Sequence, residues 1–369
     1  MQALILAAGM GKRLGSYTQD ATKCMVPVNG ETLIEHSLKA ISAAGIRSVV
    51  LVIGYKGEKL QAFLEGKFPD LTITYVENPI YDSTNNIYSL YLACDHLQQD
   101  DTILLESDLI YDPAILQELV AHPDKNLAVV SHFEPWMDGT VTLLDEDNDI
   151  VGILDKTKFT WDDISDYYKT VNIYKFSKEF SSSYYVPFLK AYQQAYGRNE
   201  YYEQVLKVLA FLDNSNLKAF KVSGDRWYEI DDPADLSIAE NRFATGQQKF
   251  AMMQERYGGY WRFPSLVDYC YLVNPYFPPD KLVHELTSNF KVLLTQYPSG
   301  AAQQSLLASK VFGVQSQTIV VGNGAAELIA AMGEDITGIV AIPYPTFNEY
   351  PARFGNAVTV PIPVQKDFS

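Results

Sequence analysis

The amino-terminal fourteen residues constrain this chain more than any other stretch. Gln2-Ala3-Leu4-Ile5-Leu6-Ala7-Ala8 is a short apolar run, and Gly9-Met10-Gly11-Lys12-Arg13-Leu14 interrupts it at once. The run lacks a basic leader, so Ala3–Ala8 reads as a first buried strand and not as a signal peptide. A strand ending in a glycine-rich loop lets backbone N–H groups approach an anion closely and forms a nest for phosphate oxygens. Lys12 and Arg13 add positive charge there. The spacing is neither G-x-G-x-x-G nor G-x-x-x-x-G-K-[ST], which disfavours the dinucleotide fingerprint and the P-loop.

The following residues alternate between strand and helix patterns. Apolar Leu33, Ile34, Leu38 and Ile41 recur at helical spacing over Leu33–Ala44, and Gly45 ends the helix. Strands are expected at Val49–Ile53, Thr72–Val76 and Thr102–Leu105, with helices near Glu58–Glu65 and Ile87–His96. This β-α-β rhythm predicts an α/β fold with a mainly parallel sheet, covered on both faces, whose ligands sit at the carboxyl ends of the strands. The strand-rich stretch from Leu127 to Phe176 reads as a lid or acceptor-binding subregion over the sheet edge. A helix from Pro233 to about Ala244, capped by Asp232, is expected to close a first domain over 1–245. Polar residues 246–259 read as a linker, and residues 260–369 as a segment of different texture.

Composition narrows the function. A net charge of −16 repels a nucleic-acid backbone. A nucleotide-using protein this acidic must gather its cations locally or bring a metal. Cys24, Cys94 and Cys270 form no C-x-x-C pair, so neither a zinc site nor a disulfide framework is supported, and a reducing cytosol is the expected compartment. No apolar run is long enough to span a membrane.

Three further features carry chemistry. Lys23 follows the glycine-rich loop closely and is a candidate phosphate cation. Asp108 follows the strand Thr102–Leu105, and Asp231 follows Tyr228–Ile230, which places two carboxylates at strand ends. Magnesium favours one or two carboxylates together with phosphate oxygens and water.

Together, the loop, Lys23, Asp108 and Asp231 resemble the nucleotidyltransferases that activate sugar phosphates, phosphocholine and phosphonates, a Rossmann-like fold with a GT-A-like sheet. Asn85-Asn86-Ile87-Tyr88-Ser89-Leu90-Tyr91 is similar to bacterial choline-phosphate cytidylyltransferases. Trp136-Met137-Asp138-Gly139-Thr140 and Lys169-Thr170-Val171-Asn172-Ile173-Tyr174 resemble the aminoethylphosphonate enzymes. The resemblance implies that Leu6, Ala7, Ala8, Gly9, Met10, Gly11 and Lys12 hold CTP, with Asn85 and Ser89 facing the nucleotide. It implies that Arg13 and Lys23 act on the phosphates, that Asp108 and Asp231 bind Mg²⁺, and that Lys169 meets the acceptor's phosphoryl group. Tyr81, Asp82, Trp136, Asp138, Trp227 and Glu229 are expected to surround an acceptor ammonium, because aromatic faces and carboxylates both favour cations.

Residues Tyr260–Ser369 resemble the start of a class I/II, histidinol-phosphate-type aminotransferase. The matching pieces are Asn274-Pro275-Tyr276, Tyr297-Pro298, Gly322-Asn323-Gly324-Ala325-Ala326-Glu327 and Pro345-Thr346-Phe347. The resemblance implies a remnant pyridoxal phosphate site at Tyr297, Ala325, Ala326 and Phe347, complete only in a longer bifunctional chain. The expected reaction transfers CMP from CTP to 2-aminoethylphosphonate or phosphocholine and releases pyrophosphate. A sugar-1-phosphate nucleotidyltransferase and a non-catalytic homologue are the alternatives, and a homodimer is left open.

Overall fold

β1 (Gln2–Ala7) is buried at every position, because strands flank it on both sides. The computed structural model describes residues 1–154, 158–212, 216–256, 259–263, 265–269 and 273–364. After β1, the short strands β2 (Pro27–Val28) and β3 (Glu31–Thr32) form a hairpin. β4 (Ser48–Ile53) then pairs parallel with β1, and β5 (Thr72–Glu77) pairs parallel with β4. The chain next returns to the other edge of β1, where β6 (Thr102–Glu106) also pairs parallel. The order of addition therefore reverses at β1, and such a switch opens a crevice beyond the strand ends. Leu6 pairs with Glu106, so β1 and β6 end level with one another.

β7 (Leu109–Tyr111) leaves the sheet, and β8 (Leu127–His132), β9 (Val141–Leu144), β10 (Ile150–Leu154), β11 (Tyr168–Phe176) and β12 (Lys218–Val222) rejoin it. The path runs β10-β9-β11-β6-β1-β4-β5, with β8 bonded to β11 and β12. β11 lies antiparallel to β6. The stretch expected to form a lid or acceptor-binding subregion is thus a continuation of the main sheet: β6 still had a free edge, and pairing it satisfies a row of backbone donors and acceptors. β13 (Trp227–Glu229) pairs antiparallel with β7 beyond the sheet.

Alternate residues of the parallel strands enter two cores, as a sheet covered on both faces requires. Ile5, Leu51 and Ile103 pack with Leu38 and Ile41 of the helix Leu33–Ala43. Leu4, Leu6, Val50 and Leu104 pack with Ile87, Leu90 and Tyr174 on the other side. Thr32 and Glu35 make a reciprocal capping box at the start of Leu33–Ala43.

The chain divides into two units, Met1–Asp268 and Tyr269–Ser369. The boundary corrects the expected one. Residues read as a linker contain a helix, Gly246–Arg256, and Met253, Phe263 and Leu266 pack on Leu236 and Ile238 of the first unit. The second unit holds the helices Asp280–Thr295, Ala301–Phe312 and Ala325–Asp335 and a parallel pair, β14 (Gly338–Tyr344) and β15 (Ala357–Pro363). Cys270 lies outside the described residues.

Candidate active site

The loop after β1 turns through Gly11, whose φ of 61° suits glycine, and its carbonyl accepts a 2.9 Å hydrogen bond from Thr18 Oγ1. An added Cβ at Gly11 would lie 3.0 Å from Lys23 Cβ, so a side chain there would crowd the lysine. Lys23 Nζ donates to Asp108 Oδ2 at 2.5 Å and to Asp231 Oδ1 at 2.7 Å. Arg13 Nη2 reaches the same Asp231 oxygen at 2.8 Å. The carboxylates converge because Asp108 follows β6, Asp231 follows β13, and Ile230 N donates to Asp108 O at 2.9 Å. Burial pulls the Lys23 ammonium down, but Asp108 and Asp231 outweigh it and hold its pKa above the ordinary lysine value. Burial pushes Asp231 up, but Lys23 and Arg13 bring it below the usual carboxylate range. Lys23 and Asp231 therefore hold each other in their charged forms.

Oxygen atoms of Asp108, Glu229 and Asp231 lie within 4.8 Å of one another. Asp108 Oδ1 is buried and has no hydrogen-bond partner among the described residues. Hard carboxylate oxygens, one of them unsatisfied, beside a phosphate-type loop fit a Mg²⁺ ion.

Next to this cluster, Lys169 Nζ lies 2.8 Å from Glu229 Oε2, and Asn172 Nδ2 donates to Glu229 Oε1 at 3.4 Å. Lys169 is 3% exposed, and the little of it that is accessible lines the cleft. The register of β11 against β8 shifts between Thr170 and Tyr174, and Asn172 takes φ = 60°. This bulge re-aims the strand and turns Asn172 into the cleft. Gly139, at φ = 110°, passes so close that an added Cβ would lie 2.8 Å from Lys169 Nζ.

These groups share one cleft of about 720 Å³. Among the residues expected from sequence, Leu6, Ala8 to Arg13, Lys23, Tyr81, Asn85, Ser89, Asp108, Asp138, Lys169, Glu229 and Asp231 line it. Ala7, Asp82, Trp136 and Trp227 do not. Ala7 is buried within β1, and Asp82 is exposed to solvent. The expected aromatic cage is not formed. Trp136 stacks on Tyr228 with centroids 5.3 Å apart, and Arg262 lies 4.2 Å from its ring centroid. Its face is thus already occupied by an internal cation. Trp227 is 2% exposed in the core. Asn85 caps the helix Asn86–Leu92, and Ser89 Oγ accepts from Asn78 Nδ2 at 3.1 Å.

Sequence reading missed Asn86, Glu106 and Glu203, which also line the cleft. Asn86 Nδ2 donates to Glu106 Oε1 at 3.0 Å, and Asn86 Oδ1 accepts from Tyr202 N at 3.0 Å. The doubled Asn85-Asn86 was the available signal: one residue caps the helix and leaves the other free to brace the site. Burial raises the Glu203 carboxyl from 4.5 to about 7. A carboxyl with a raised folded pKa holds its proton longer in the folded state. Its contribution is therefore neutral below the unfolded value and becomes a penalty as pH rises through the folded one. Between pH 4.5 and about 7 stability is expected to fall by about 3 kcal/mol on account of Glu203. Denaturant midpoints across this window should show the slope in the wild type and a loss of that part of it in Glu203→Gln; equal slopes would refute the assignment.

The residues expected to hold pyridoxal phosphate make no cradle. Tyr297 is 100% exposed, and Phe347 packs edge-on against Tyr350. Ala325 and Ala326 begin a helix, and both are exposed. No step is assigned to that cofactor.

Residues 3–147 match the family model for the MobA-like NTP transferase domain. CMP-5'-(3-aminopropyl)phosphonate synthase of Streptomyces rubellomurinus is 31% identical over 351 residues, covering 95% of this chain and 55% of that protein. The 2-aminoethylphosphonate cytidylyltransferase of Lancefieldella rimae is 38% identical over 108 residues, 29% of this chain and 43% of that protein. This chain therefore spans about half the length of each of these curated relatives. Among solved structures, CTP:phosphocholine cytidylyltransferase from Streptococcus pneumoniae aligns with a TM-score of 0.55 at 20% identity, over 66% of this chain and 99% of that one. That likeness establishes a shared fold. No helix among the described residues is long and apolar enough to cross a membrane.

Proposed function

We propose that this chain, a MobA-like nucleotidyltransferase of the cytidylyltransferase family through its first unit, transfers CMP from CTP to an aminoalkyl phosphonate or phosphate. The observation that carries the reading is the gathering of Lys23, Asp108 and Asp231 with the adjoining Lys169–Glu229 pair in one cleft. Phosphate-compatible cations thus gather in one space, as the joining of two anions demands.

An acceptor oxygen attacks the α-phosphorus of CTP in line. The new P–O bond forms as the bond to the pyrophosphate oxygen breaks, and pyrophosphate leaves with that electron pair. Phosphonates and phosphates are ionised near neutral pH, so no dedicated base is required. The protein positions two anions and offsets their repulsion. The loop Gly9–Gly11 receives the nucleotide phosphates, and Arg13 and Lys23 offset their charge. Lys169 turns from Glu229 toward the acceptor's phosphoryl oxygens. Asp108 and Asp231, with Glu229 in reach, would hold Mg²⁺, which supplies further charge neutralisation on the phosphates.

The Streptomyces and Lancefieldella proteins, by their names, act on or form aminoalkylphosphonates, which supports the same acceptor class here. The Streptomyces alignment also extends across the second unit. That supports reading this unit as part of the same longer architecture, for which the aminotransferase resemblance remains our proposal. The test compares kcat/KM with CTP for 2-aminoethylphosphonate, phosphoethanolamine, phosphocholine and glucose 1-phosphate. Aminoethylphosphonate is expected to lead. A tenfold lead for glucose 1-phosphate or phosphocholine, about 1.4 kcal/mol of transition-state discrimination, would overturn the acceptor assignment.

A further inference from the structure

The cleft holds more carboxyl groups than cations. Its carboxyls are Glu106, Asp108, Asp138, Glu203, Glu229 and Asp231, and its cations are Lys12, Arg13, Lys23 and Lys169. Three of those cations are already engaged: Lys23 and Arg13 with Asp108 and Asp231, Lys169 with Glu229. No ion pair among the described residues reaches Glu106 or Glu203.

Glu203 is the more telling of the two. It opens the helix Glu203–Leu209, is 6% exposed, and lines the cleft. Its Oε2 is buried with no hydrogen-bond partner among the described residues. An unsatisfied buried acceptor is costly, and a buried charge without a partner more so. Asn86 fixes the site on both sides, through Glu106 and through the Tyr202 backbone beside Glu203. Within this polar framework Glu203 Oε2 still lacks a donor.

We propose that Glu203, with Glu106 beside it, forms the subsite that takes a primary ammonium at the far end of the acceptor. The inference rests on the cytidylyltransferase reading and deepens it. A primary ammonium brings a positive charge and three N–H donors, which is what the unpaired oxygen of Glu203 lacks. A trimethylated head brings charge without donors and leaves that oxygen unsatisfied. Aminoalkyl phosphonates and phosphates are therefore favoured over choline-type acceptors by hydrogen bonding. The ammonium subsite lies at Glu106 and Glu203, not at Trp136 and Trp227, whose faces are spent inside the protein.

The experiment uses the full chain with CTP and Mg²⁺. It measures the ratio of kcat/KM for 2-aminoethylphosphonate to that for ethylphosphonate, which lacks the amine. Wild type is expected to favour the amine, and Glu203→Gln to reduce the ratio by about tenfold to a hundredfold, the scale of a charge-assisted hydrogen bond. Glu203→Asp should restore part of it. Circular dichroism confirms that the variants fold, and Glu106→Gln, which should also lower the ratio, gives a second reading if Glu203→Gln does not. An unchanged ratio in folded variants, through equal loss on both acceptors or none, overturns the inference and leaves the cytidylyltransferase reading standing. Absence of turnover of either phosphonate by the wild type overturns both.

Discussion

Replacing Asp108 or Asp231 with Asn is expected to reduce pyrophosphate release by roughly two to three orders of magnitude, the usual scale for losing one electrostatic stabiliser in a closed site. Both side chains sit at strand ends, 17% and 25% exposed, so the fold should survive. Asn keeps the size and one oxygen of Asp, and loses a charge that sets Lys23 in place and, at Asp231, Arg13 as well. Asp108→Asn also alters a side chain whose buried Oδ1 lacks a partner among the described residues. Initial rates at saturating CTP, acceptor and Mg²⁺ provide the check. Near-wild-type turnover by either variant would remove that residue from the site.

Lys23→Met is expected to have the largest effect on stability. Its ammonium donates to both Asp108 and Asp231, and its side chain is 13% exposed. Removing it leaves two partly buried carboxylates facing each other without their shared cation. Breaking a buried pair by deleting one partner costs about 3–5 kcal/mol. Exposure of the aspartates favours the lower end, since water screens part of their repulsion. The unfolding midpoint without Mg²⁺ should fall accordingly. Added Mg²⁺ should recover part of the loss, because an ion that binds only the folded state stabilises it by mass action. A melting curve that matches wild type, or one that Mg²⁺ does not move, would contradict the shared-cation reading.

The parallel half of the sheet was legible because its strands are short apolar runs with turns in register, and strand ends follow directly from them. The glycine-rich loop, Lys23 and Asp108 could be placed from that information alone. Asp231 was harder, since only the pairing of β13 with β7 brings it beside Asp108. The aromatic cage failed for a tertiary reason: Arg262, far along the chain, reaches back to occupy Trp136. The same return explains the misplaced domain boundary. Gly246–Arg256 has a polar composition that reads as a connector, yet it packs through Met253. Glu203 could not be singled out from sequence, because an acid at a helix start ordinarily faces water and favours the helix dipole. Its burial depends on Asn86 and the strands around it. Asn172 lies within the Lys169–Tyr174 motif, but its left-handed turn emerges only from the shifted register of β11.

The most direct measurement of the central claim is phosphorus NMR of the purified chain with CTP, Mg²⁺ and 2-aminoethylphosphonate. The expected result is stoichiometric pyrophosphate and a new phosphonate signal coupled to the α-phosphorus of CMP, both appearing roughly two to three orders of magnitude more slowly in Asp231→Asn. Pyrophosphate with no such P–O–P linkage, or linkage formed equally well by Asp231→Asn, would contradict it.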